Sequence, residues 1–355
     1  MKKKKVVMYY TYGDRVGGPL TYINTIMNSE LNKEYEFATC FQNMGAGGIN
    51  IDLLRRMIQK LKEEKPDIVH VHGLQSEGLY GVLAAKFAGC KKIIVTVHGF
   101  SFDSQAISEL KRFIYRYFVE PATIRMADKI YCVCDYAAQR EIIKRNAKRN
   151  NCGYIWNAVP DFKITESRED LRKRLNIRND DTVFVVSGRI SREKGFDVLA
   201  QSMMSKRLKD NNNYKLLVIG DGDYSQTFCE TLKDEVAKGK VIMAGKTDRV
   251  GDYLNASDVF ILPSYHENLP IAVIEAGKMG LPCIISNAGG MPEIIVDNRT
   301  GFVICGWNPE DYAEKMELLL SNTELRRDMS RAIKKDVNDR FDISKMCKKI
   351  REVYE

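Results

Sequence analysis

Two glutamates, Glu267 and Glu275, are separated by seven residues in a stretch whose pattern suits a binding site. An apolar run over 258–263 predicts a buried parallel strand before them, and Pro270 stands where a helix begins. Glu267 is therefore predicted at the junction of loop and helix, and Glu275 about one and a half turns into the helix. Ionised carboxylates there could accept hydrogen bonds from hydroxyl groups. The spacing alone is common by chance, so the surrounding sequence has to decide.

Basic residues follow another predicted strand. The segment 187–195 carries Arg189, Arg192 and Lys194 between a strand and a helix. Cations fixed at such a junction, beside a helix N-terminus, stabilise the negative charge that builds up on a departing phosphate. The alternative is a solvated basic loop, in which Arg192 in particular would point to solvent.

Glycines follow the first predicted strand, in the segment 13–19. Gly17 and Gly18 would let the backbone approach a ligand closely and present N–H groups to it. The segment is not G-x-G-x-x-G, and it lacks the Gly-Lys-Ser/Thr of a P-loop, so a tight turn remains the alternative.

Three histidines, His70, His72 and His98, end two predicted strands. Because His70 and His72 alternate across Val71, they would share one face of the sheet, with His70 deeper. Histidines at strand ends are more often structural, so a structural role is the alternative for each of them.

The elements that must position these residues alternate between strand and helix along the whole chain, which is typical of βαβ units around parallel sheets. Twelve strands are predicted, over residues 5–10, 35–40, 67–72, 92–98, 129–134, 153–156, 182–187, 215–220, 240–244, 259–262, 282–286 and 302–305. Residues 157–167 interrupt the alternation and contain Pro160, so a hinge is predicted there. Ligands of open α/β sheets bind at the carboxyl ends of the strands, where the candidate residues fall.

Composition places the chain among ordinary cytoplasmic proteins of two domains. Its 355 residues suit two domains of about 150–200 residues. The longest apolar runs, of five to eight residues, fall far short of the roughly 20 that span a bilayer. The apolar stretch after the basic N-terminus is too short for a signal peptide, and nine scattered cysteines fit reduced thiols. Residues 1–160 hold 24 Lys and Arg against 15 Asp and Glu, so the net charge of +8 is concentrated there.

The stretch around the two glutamates, PSYHENLPIAVIEAGKMGLPCIISNAGGMPEII, closely resembles the retaining glycosyltransferases of the GT-B type, in particular family 4. The loop 187–195 and the tetrapeptide Val97-His98-Gly99-Phe100 match the same family. This resemblance covers most of the chain, most densely 184–301. It implies an α/β fold of two Rossmann-like domains that face each other across a cleft. Residues 1–160 would form the acceptor side and 161–339 the nucleotide-sugar domain, with a helix of about 340–355 crossing back to the first.

The resemblance also implies roles for single residues. Arg189 and Lys194 would neutralise the diphosphate of a nucleotide sugar. Glu275 would hold the ribose hydroxyls, and Glu267 would bind the sugar or stabilise an oxocarbenium ion. Catalysis would then rest on Glu267, Arg189 and Lys194 together with His98, while His72 is a weaker candidate on the acceptor side. Further contacts to the donor are implied for Gly17, Gly18, Gly220, Lys246, Asn268 and Leu269.

Asp221 and Asp223 form an Asp-x-Asp, a pair that holds a divalent metal in the other main glycosyltransferase fold. Here the residues 220–222 match instead the Gly-Asp-Gly turn that the GT-B family uses near the nucleotide. The prediction is therefore an enzyme with no catalytic metal and no cofactor besides its donor, a UDP- or GDP-sugar. Loss of activity with a chelator would contradict this prediction.

The segment 110–119, LKRFIYRYFV, places Leu110, Phe113, Ile114, Tyr117 and Phe118 on one face of a predicted helix. The plainer interpretation is a core face opposite a basic solvent face. The alternative is a basic, aromatic surface that touches an anionic membrane at the inner face of the plasma membrane.

These observations predict a retaining glycosyltransferase that moves a sugar from a nucleoside-diphosphate donor, UDP-sugar favoured over GDP-sugar, to a hydroxyl of a glycan or lipid-linked acceptor. Cell-surface polysaccharide assembly is the expected setting. A nucleotide-sugar epimerase of the same fold and an inactive glycosyltransferase-like binding partner are the alternatives. A nucleic-acid partner is not expected, because the basic residues form neither a recognition helix nor an aromatic platform.

Overall fold

The computed structural model describes residues 3–11, 17–42, 50–103, 107–209 and 211–355, without the side chains of Thr11 and Gln42. The chain divides into two compact units: Met1–Val159 with Asp342–Glu355, and Pro160–Phe341. In the described residues each unit contains one six-stranded sheet, and every strand pair in both sheets is parallel. The predicted alternation of strand and helix is confirmed in both units.

The sheet of the first unit has the strand order β2-β1-β3-β4-β5-β6. Its strands are β1 (Lys4–Thr11), β2 (Tyr35–Gln42), β3 (Ile68–His72), β4 (Ile93–Val97), β5 (Lys129–Cys132) and β6 (Asn151–Tyr154). Strands β3 and β4 are buried along their whole length, as expected for central strands of a parallel sheet that is covered on both faces. Their carboxyl ends therefore place His72 and the residue after β4, His98, at the same edge of the sheet.

The helices that belong to this unit are α1 (Gly18–Met27), α2 (Ile51–Glu64), α3 (Ser76–Phe87), α4 (Glu109–Ile114), α5 (Glu120–Met126), α6 (Asp135–Ala138) and α7 (Glu141–Asn146). A π-helical turn, Tyr115–Val119, joins α4 to α5. The sequence of residues 104–126 predicts one helix, but the helix begins only at Glu109; residues 104–106 lie outside the described part of the chain. The sequence of residues 136–146 also predicts one helix, and the structure divides it into α6 and α7.

The sheet of the second unit has the order β12-β11-β10-β7-β8-β9. Its strands are β7 (Thr182–Ser187), β8 (Tyr214–Ile219), β9 (Val241–Gly245), β10 (Val259–Leu262), β11 (Cys283–Ser286) and β12 (Gly301–Ile304). Its helices are α8 (Arg168–Arg174), α9 (Phe196–Met203), α10 (Lys206–Lys209), α11 (Ser225–Thr231), α12 (Lys233–Ala237), α13 (Val250–Asn255), α14 (Ile271–Lys278), α15 (Pro309–Ser321) and α16 (Thr323–Arg340). Pro270 caps α14 rather than standing in its first turn, and Gly280 follows its end at φ +79°, as the Gly-Leu-Pro signal predicts.

A final helix, α17 (Ile343–Tyr354), belongs to the first unit although it follows the second in sequence. Its buried face consists of Met346, Cys347, Ile350, Val353 and Tyr354. The Tyr354 hydroxyl lies 2.8 Å from Nδ1 of His70, and the Lys92 ammonium donates a 2.8 Å hydrogen bond to the Tyr354 carbonyl. At the surface Arg351 pairs with both carboxylate oxygens of Glu34. The helix is thus tied to the sheet interior by buried polar contacts as well as by apolar packing.

Among the helices described, not one combines the length and the apolar character that crossing a bilayer demands.

Candidate active site

Four loops meet at the carboxyl edge of the second sheet, because β10, β7, β8 and β9 are neighbours in it. The amide of Gly188 donates to the carbonyl of Ile219, and the amide of Gly220 donates to that of Gly245. On the other side, the amide of Tyr265 donates to the carbonyl of Glu193 at 2.9 Å. This edge carries seven of the predicted site residues, namely Arg189, Lys194, Gly220, Lys246, Glu267, Asn268 and Leu269.

Lys194 and Glu267 form the central ion pair of this edge. The Lys194 ammonium lies 2.5 Å from Oε1 of Glu267, which also accepts a 3.0 Å hydrogen bond from the Ser264 hydroxyl. The Glu267 side chain is only 9% exposed, whereas that of Lys194 is 28% exposed. The resemblance places one of these residues on the diphosphate and the other on the sugar. Their direct contact means that a change in either alters the charge around its partner.

The second predicted cation, Arg189, is half exposed and donates to Glu193 at 2.8 Å within its own loop. Arg192 is exposed, as predicted, and its charge is met by Asp197 at 3.2 Å. Lys246 is exposed after β9, and no hydrogen bond or ion pair is found for its ammonium within the described parts of the chain. The edge therefore presents three cations whose ammonium or guanidinium groups reach solvent.

Two glycines approach the backbone of the Glu267 loop closely. At Gly195, φ is +73°, and an added Cβ would lie 2.0 Å from the carbonyl oxygen of Pro263. At Gly289, φ is +60°, and an added Cβ would lie 1.5 Å from the carbonyl oxygen of Glu267 itself. A side chain at either position would push the loop away. The sequence predictions include no role for Gly289 or Ser264, although the Gly-Gly pair after β11 and the serine two residues after β10 are signals that point to them.

Glu275 lies on α14, in the turn after the one that Pro270 caps. Burial raises the pKa of its carboxyl to about 7, because the charged form is poorly solvated there. The described residues supply its carboxylate with no hydrogen bond or ion pair. Asn268 and Leu269, which join the loop to α14, are both buried. The unit thus keeps an acidic side chain that has no partner among the described residues and can take up a proton near neutral pH.

The Asp-x-Asp segment forms a turn. Oδ1 of Asp221 accepts hydrogen bonds from the amide of Gly222 at 2.7 Å and from the Ser225 hydroxyl at 3.1 Å. Among the described residues, no group of three or more His, Cys, Asp or Glu side chains is placed so that it could hold a metal ion. Asp221 therefore serves its own loop, and metal independence stays a prediction.

In the first unit, Gly17 caps the N-terminus of α1 in an extended conformation, and Gly18 is the first residue of that helix. Both glycines are exposed. Residues 12–16 of the predicted glycine-rich loop lie outside the described residues. The two glycines thus stand at the N-terminus of a helix that follows β1, as predicted.

The three histidines of this unit lie together. His70 is fully buried, as predicted, and its ring contacts the hydroxyls of Tyr354, Thr96 and Tyr131. Nδ1 of His72 lies 3.1 Å from Nε2 of His98, and the Tyr22 ring packs edge-on against His98. Nε2 of His72 is buried and makes no hydrogen bond in the described structure. Burial lowers the pKa of His70 and of His98 to about 3, so both rings are neutral at pH 7.

These neutral histidines predict that acid destabilises the first unit. In the unfolded chain a histidine titrates near 6.5, whereas burial keeps the pKa of His70 and His72 well below that value in the folded state. Protons therefore bind preferentially to the unfolded state below about pH 6.5, and stability falls as pH falls towards the folded pKa. Between pH 7.5 and 5.5 the loss should be about 1.4 kcal/mol for each of the two residues.

Urea unfolding at a series of pH values would measure this loss. The free energy of unfolding is plotted against pH, and His70→Gln should lower the slope of this plot by the amount that one buried histidine contributes. An unchanged slope in His70→Gln would show that this ring does not titrate as proposed.

Comparisons with known proteins cover nearly the whole chain. The sequence profile described as "Glycosyl transferases group 1" matches residues 167–336, and the one described as "Glycosyltransferase Family 4" matches residues 36–161. A protein of Escherichia coli, UDP-Gal:alpha-D-GlcNAc-diphosphoundecaprenol alpha-1,3-galactosyltransferase, is 28% identical over 318 residues, or 86% of this chain and 81% of that protein.

Two solved structures extend the comparison. Anabaena Alr3699/HepE, in a complex with UDP and glucose, has a TM-score of 0.80 at 16% identity. The superposition covers 99% of this chain and 99% of that one. WaaG, a glycosyltransferase involved in lipopolysaccharide biosynthesis, has a TM-score of 0.74 at 18% identity, with 99% of each chain covered. At these identities the likeness shows a shared fold.

Proposed function

The chain belongs to the group 1 glycosyltransferases of family 4 and has their two-domain GT-B fold, and on that premise we propose that it transfers a sugar from a UDP-sugar to a hydroxyl of a glycan or lipid-linked acceptor in the cytoplasm. We further propose that the reaction retains the anomeric configuration and needs no metal. Cell-surface polysaccharide assembly is the proposed setting. The E. coli relative, whose name contains both UDP-Gal and a diphosphoundecaprenol, supports this choice of donor and acceptor.

The observation that carries the proposal is the ion pair of Lys194 and Glu267 among exposed cations at one sheet edge. A nucleoside diphosphate leaves with growing negative charge, and a fixed ammonium group stabilises that charge without reorganisation. Arg189 and Lys246 would add to this field. Glu267, held by Ser264 and Lys194, would face the sugar, where a carboxylate can bind hydroxyl groups or stabilise positive charge at the anomeric carbon.

In this mechanism the acceptor hydroxyl attacks the same face of the sugar from which the diphosphate leaves. The bond from the anomeric carbon to the phosphate oxygen breaks, and the bond to the acceptor oxygen forms. The proton of the acceptor hydroxyl passes to the departing phosphate. Glu267 is proposed to stabilise the sugar rather than to form a covalent bond with it, and His98 to hydrogen-bond the sugar or the leaving group as a neutral ring.

A panel of UDP-, GDP- and ADP-sugars would test the donor, with thermal stabilisation and slow hydrolysis as readouts. Stabilisation by UDP-sugars that is lost in Lys194→Ala but retained in Lys233→Ala, an exposed lysine of α12, would support the proposal. An intact protein that responds to none of these donors would overturn it. Assays in EDTA test metal independence, and the configuration of the product tests retention.

Glu275 gives a prediction about pH. The carboxylate form can accept hydrogen bonds from both ribose hydroxyls, whereas the protonated form cannot accept as many. Because burial raises the pKa of Glu275 to about 7, donor affinity should increase as the pH rises from 6 to 8, by about tenfold.

Calorimetric titration with an intact UDP-sugar at several pH values would measure this, since the diphosphate of a nucleotide sugar, esterified at both ends, does not itself titrate in this range. Glu275→Gln should bind the donor more weakly and with a flat pH profile. A wild-type affinity that does not change between pH 6 and 8 would contradict the proposed role of Glu275.

A further inference from the structure

The segment Glu109–Val119 exposes the apolar face that the plainer interpretation of the sequence assigns to the core. Its members Leu110, Phe113, Ile114, Tyr117 and Phe118 are between 42 and 70% exposed. They form a connected surface, since the Phe113 ring centroid lies 4.7 Å from that of Tyr117 and 6.3 Å from that of Phe118. The core interpretation is therefore wrong. We name this surface, from Leu110 to Phe118, the aromatic surface.

The π-helical turn Tyr115–Val119 explains why this face is exposed. In an uninterrupted α-helix, residues three or four before the buried Glu120 would share its inward direction, and these are Arg116 and Tyr117. The π turn contains an extra residue, so the inward position moves to Tyr115, five residues before Glu120. Tyr115 is buried, and its hydroxyl donates to Ser76 at 3.4 Å. Arg116, Tyr117 and Phe118 consequently all face solvent.

Cations lie among the apolar side chains. The ammonium of Lys111 lies over the ring of Tyr115, and the guanidinium of Arg116 lies over the rings of Phe102 and Tyr117. Neither cation makes an ion pair within the described residues. Arg112 is near the carboxylate of Glu109 at 3.8 Å, and Glu109 is the only acidic residue of the segment before Glu120. The surface is thus apolar, aromatic and basic at once, within the half of the chain that holds the excess of positive charge.

We propose that the aromatic surface docks the protein on an anionic phospholipid bilayer. Aromatic side chains favour the interface between lipid and water, and exposed Lys and Arg are attracted to anionic headgroups. The charges of Lys111 and Arg116, which form no ion pair with any residue that the structure describes, favour lipid over a second copy of this chain, because a self-complementary contact would bring the same cations together. The docking surface goes beyond the proposed activity. Its use, to present a lipid-linked acceptor to the first unit, rests on that activity.

Vesicle flotation of the full-length protein, without any donor, tests the proposal. Vesicles of phosphatidylcholine alone are compared with vesicles that contain about one third phosphatidylglycerol. The protein should bind the anionic vesicles at least tenfold more strongly. The double variant Phe113→Ser/Phe118→Ser should weaken this binding by about tenfold or more. The double variant Lys111→Glu/Arg116→Glu should weaken it by roughly fivefold for each cation removed.

Matched variants away from the surface control for general changes of polarity and charge. Phe87→Ser removes another exposed phenylalanine of the first unit, and Lys233→Glu with Lys238→Glu reverses two exposed lysines of the second. These variants should bind vesicles as the wild type does. Thermal unfolding checks that every variant is folded, and the thermal shift with a UDP-sugar is measured separately, so that loss of docking and loss of donor binding are distinguished.

Equal binding to both kinds of vesicle, or unchanged binding of the Phe113/Phe118 variant, would overturn the proposal. So would a wild-type protein that ignores vesicles but forms dimers that the same double variant converts to monomers, since the surface would then cover a second copy.

Discussion

Lys194→Ala is expected to lower kcat for sugar transfer by about 10²- to 10³-fold, the usual effect of removing one group that stabilises charge in a transition state. The change removes the ammonium proposed to meet the departing diphosphate. It also leaves the Glu267 carboxylate, only 9% exposed, without its ion-pair partner. The measurement is single-turnover transfer from a UDP-sugar, with Lys233→Ala as the control for loss of an exposed lysine from the same unit.

A second substitution separates the loss of the ammonium that meets the diphosphate from the loss of the ion-pair partner of Glu267. Glu267→Gln keeps the shape of the side chain and its contact with the Ser264 hydroxyl but removes the charge. If Lys194 and Glu267 act as a unit, the double variant should be little slower than the slower single variant. A Lys194→Ala enzyme within about threefold of wild type would show that this ammonium does not serve the reaction.

Deletion of residues 343–355 is expected to unfold the first unit. The deletion uncovers the surface against which Met346, Ile350 and Val353 pack, and each buried side chain of this size contributes roughly 1.5–3 kcal/mol. It also removes the hydroxyl of Tyr354 from His70, whose ring would be left buried without that partner. The sum is comparable to the whole stability of a typical domain, about 5–15 kcal/mol.

Calorimetry and circular dichroism of the truncated chain would measure the result, and a truncated protein that unfolds with unchanged enthalpy would contradict the prediction. Tyr354→Phe is the milder test. It should cost about 1–3 kcal/mol, because it leaves Nδ1 of His70 unsatisfied in the interior. Tyr117→Phe, at an exposed tyrosine, is the matched control and should be neutral.

The sequence was sufficient for the order of strands and helices and for the edge of the sheet that carries the candidate residues. Strand periodicity and the loop signals around Pro270 and Gly280 are local patterns, so they predict strands, loops and helix ends without knowledge of distant contacts. The candidate site residues that follow the strands could also be identified, because βαβ units bring the carboxyl ends of their strands to one edge of the sheet.

What the sequence could not predict depends on contacts between distant segments. The 2.5 Å pairing of Lys194 with Glu267 joins two loops 73 residues apart, and the role of Gly289 becomes visible only when its close approach to the Glu267 carbonyl is known. The exposure of Phe113 and Tyr117 contradicts only the plainer interpretation of the sequence, and it does so for a different reason. A single extra residue in the turn 115–119 rotates a helical face by about 100°, and the periodicity of a regular helix does not predict such an insertion.

The contact between Tyr354 and His70 also orders events during synthesis. The two residues are 284 positions apart, so at about 5–20 residues per second the ribosome needs roughly 15–60 s after His70 to deliver the tyrosine. Throughout this interval the second unit is translated in full, while the first lacks one of the helices that seal its sheet. The nascent protein can therefore complete the later-encoded unit first, and the buried imidazole of His70 lacks its Tyr354 partner until α17 has been synthesised.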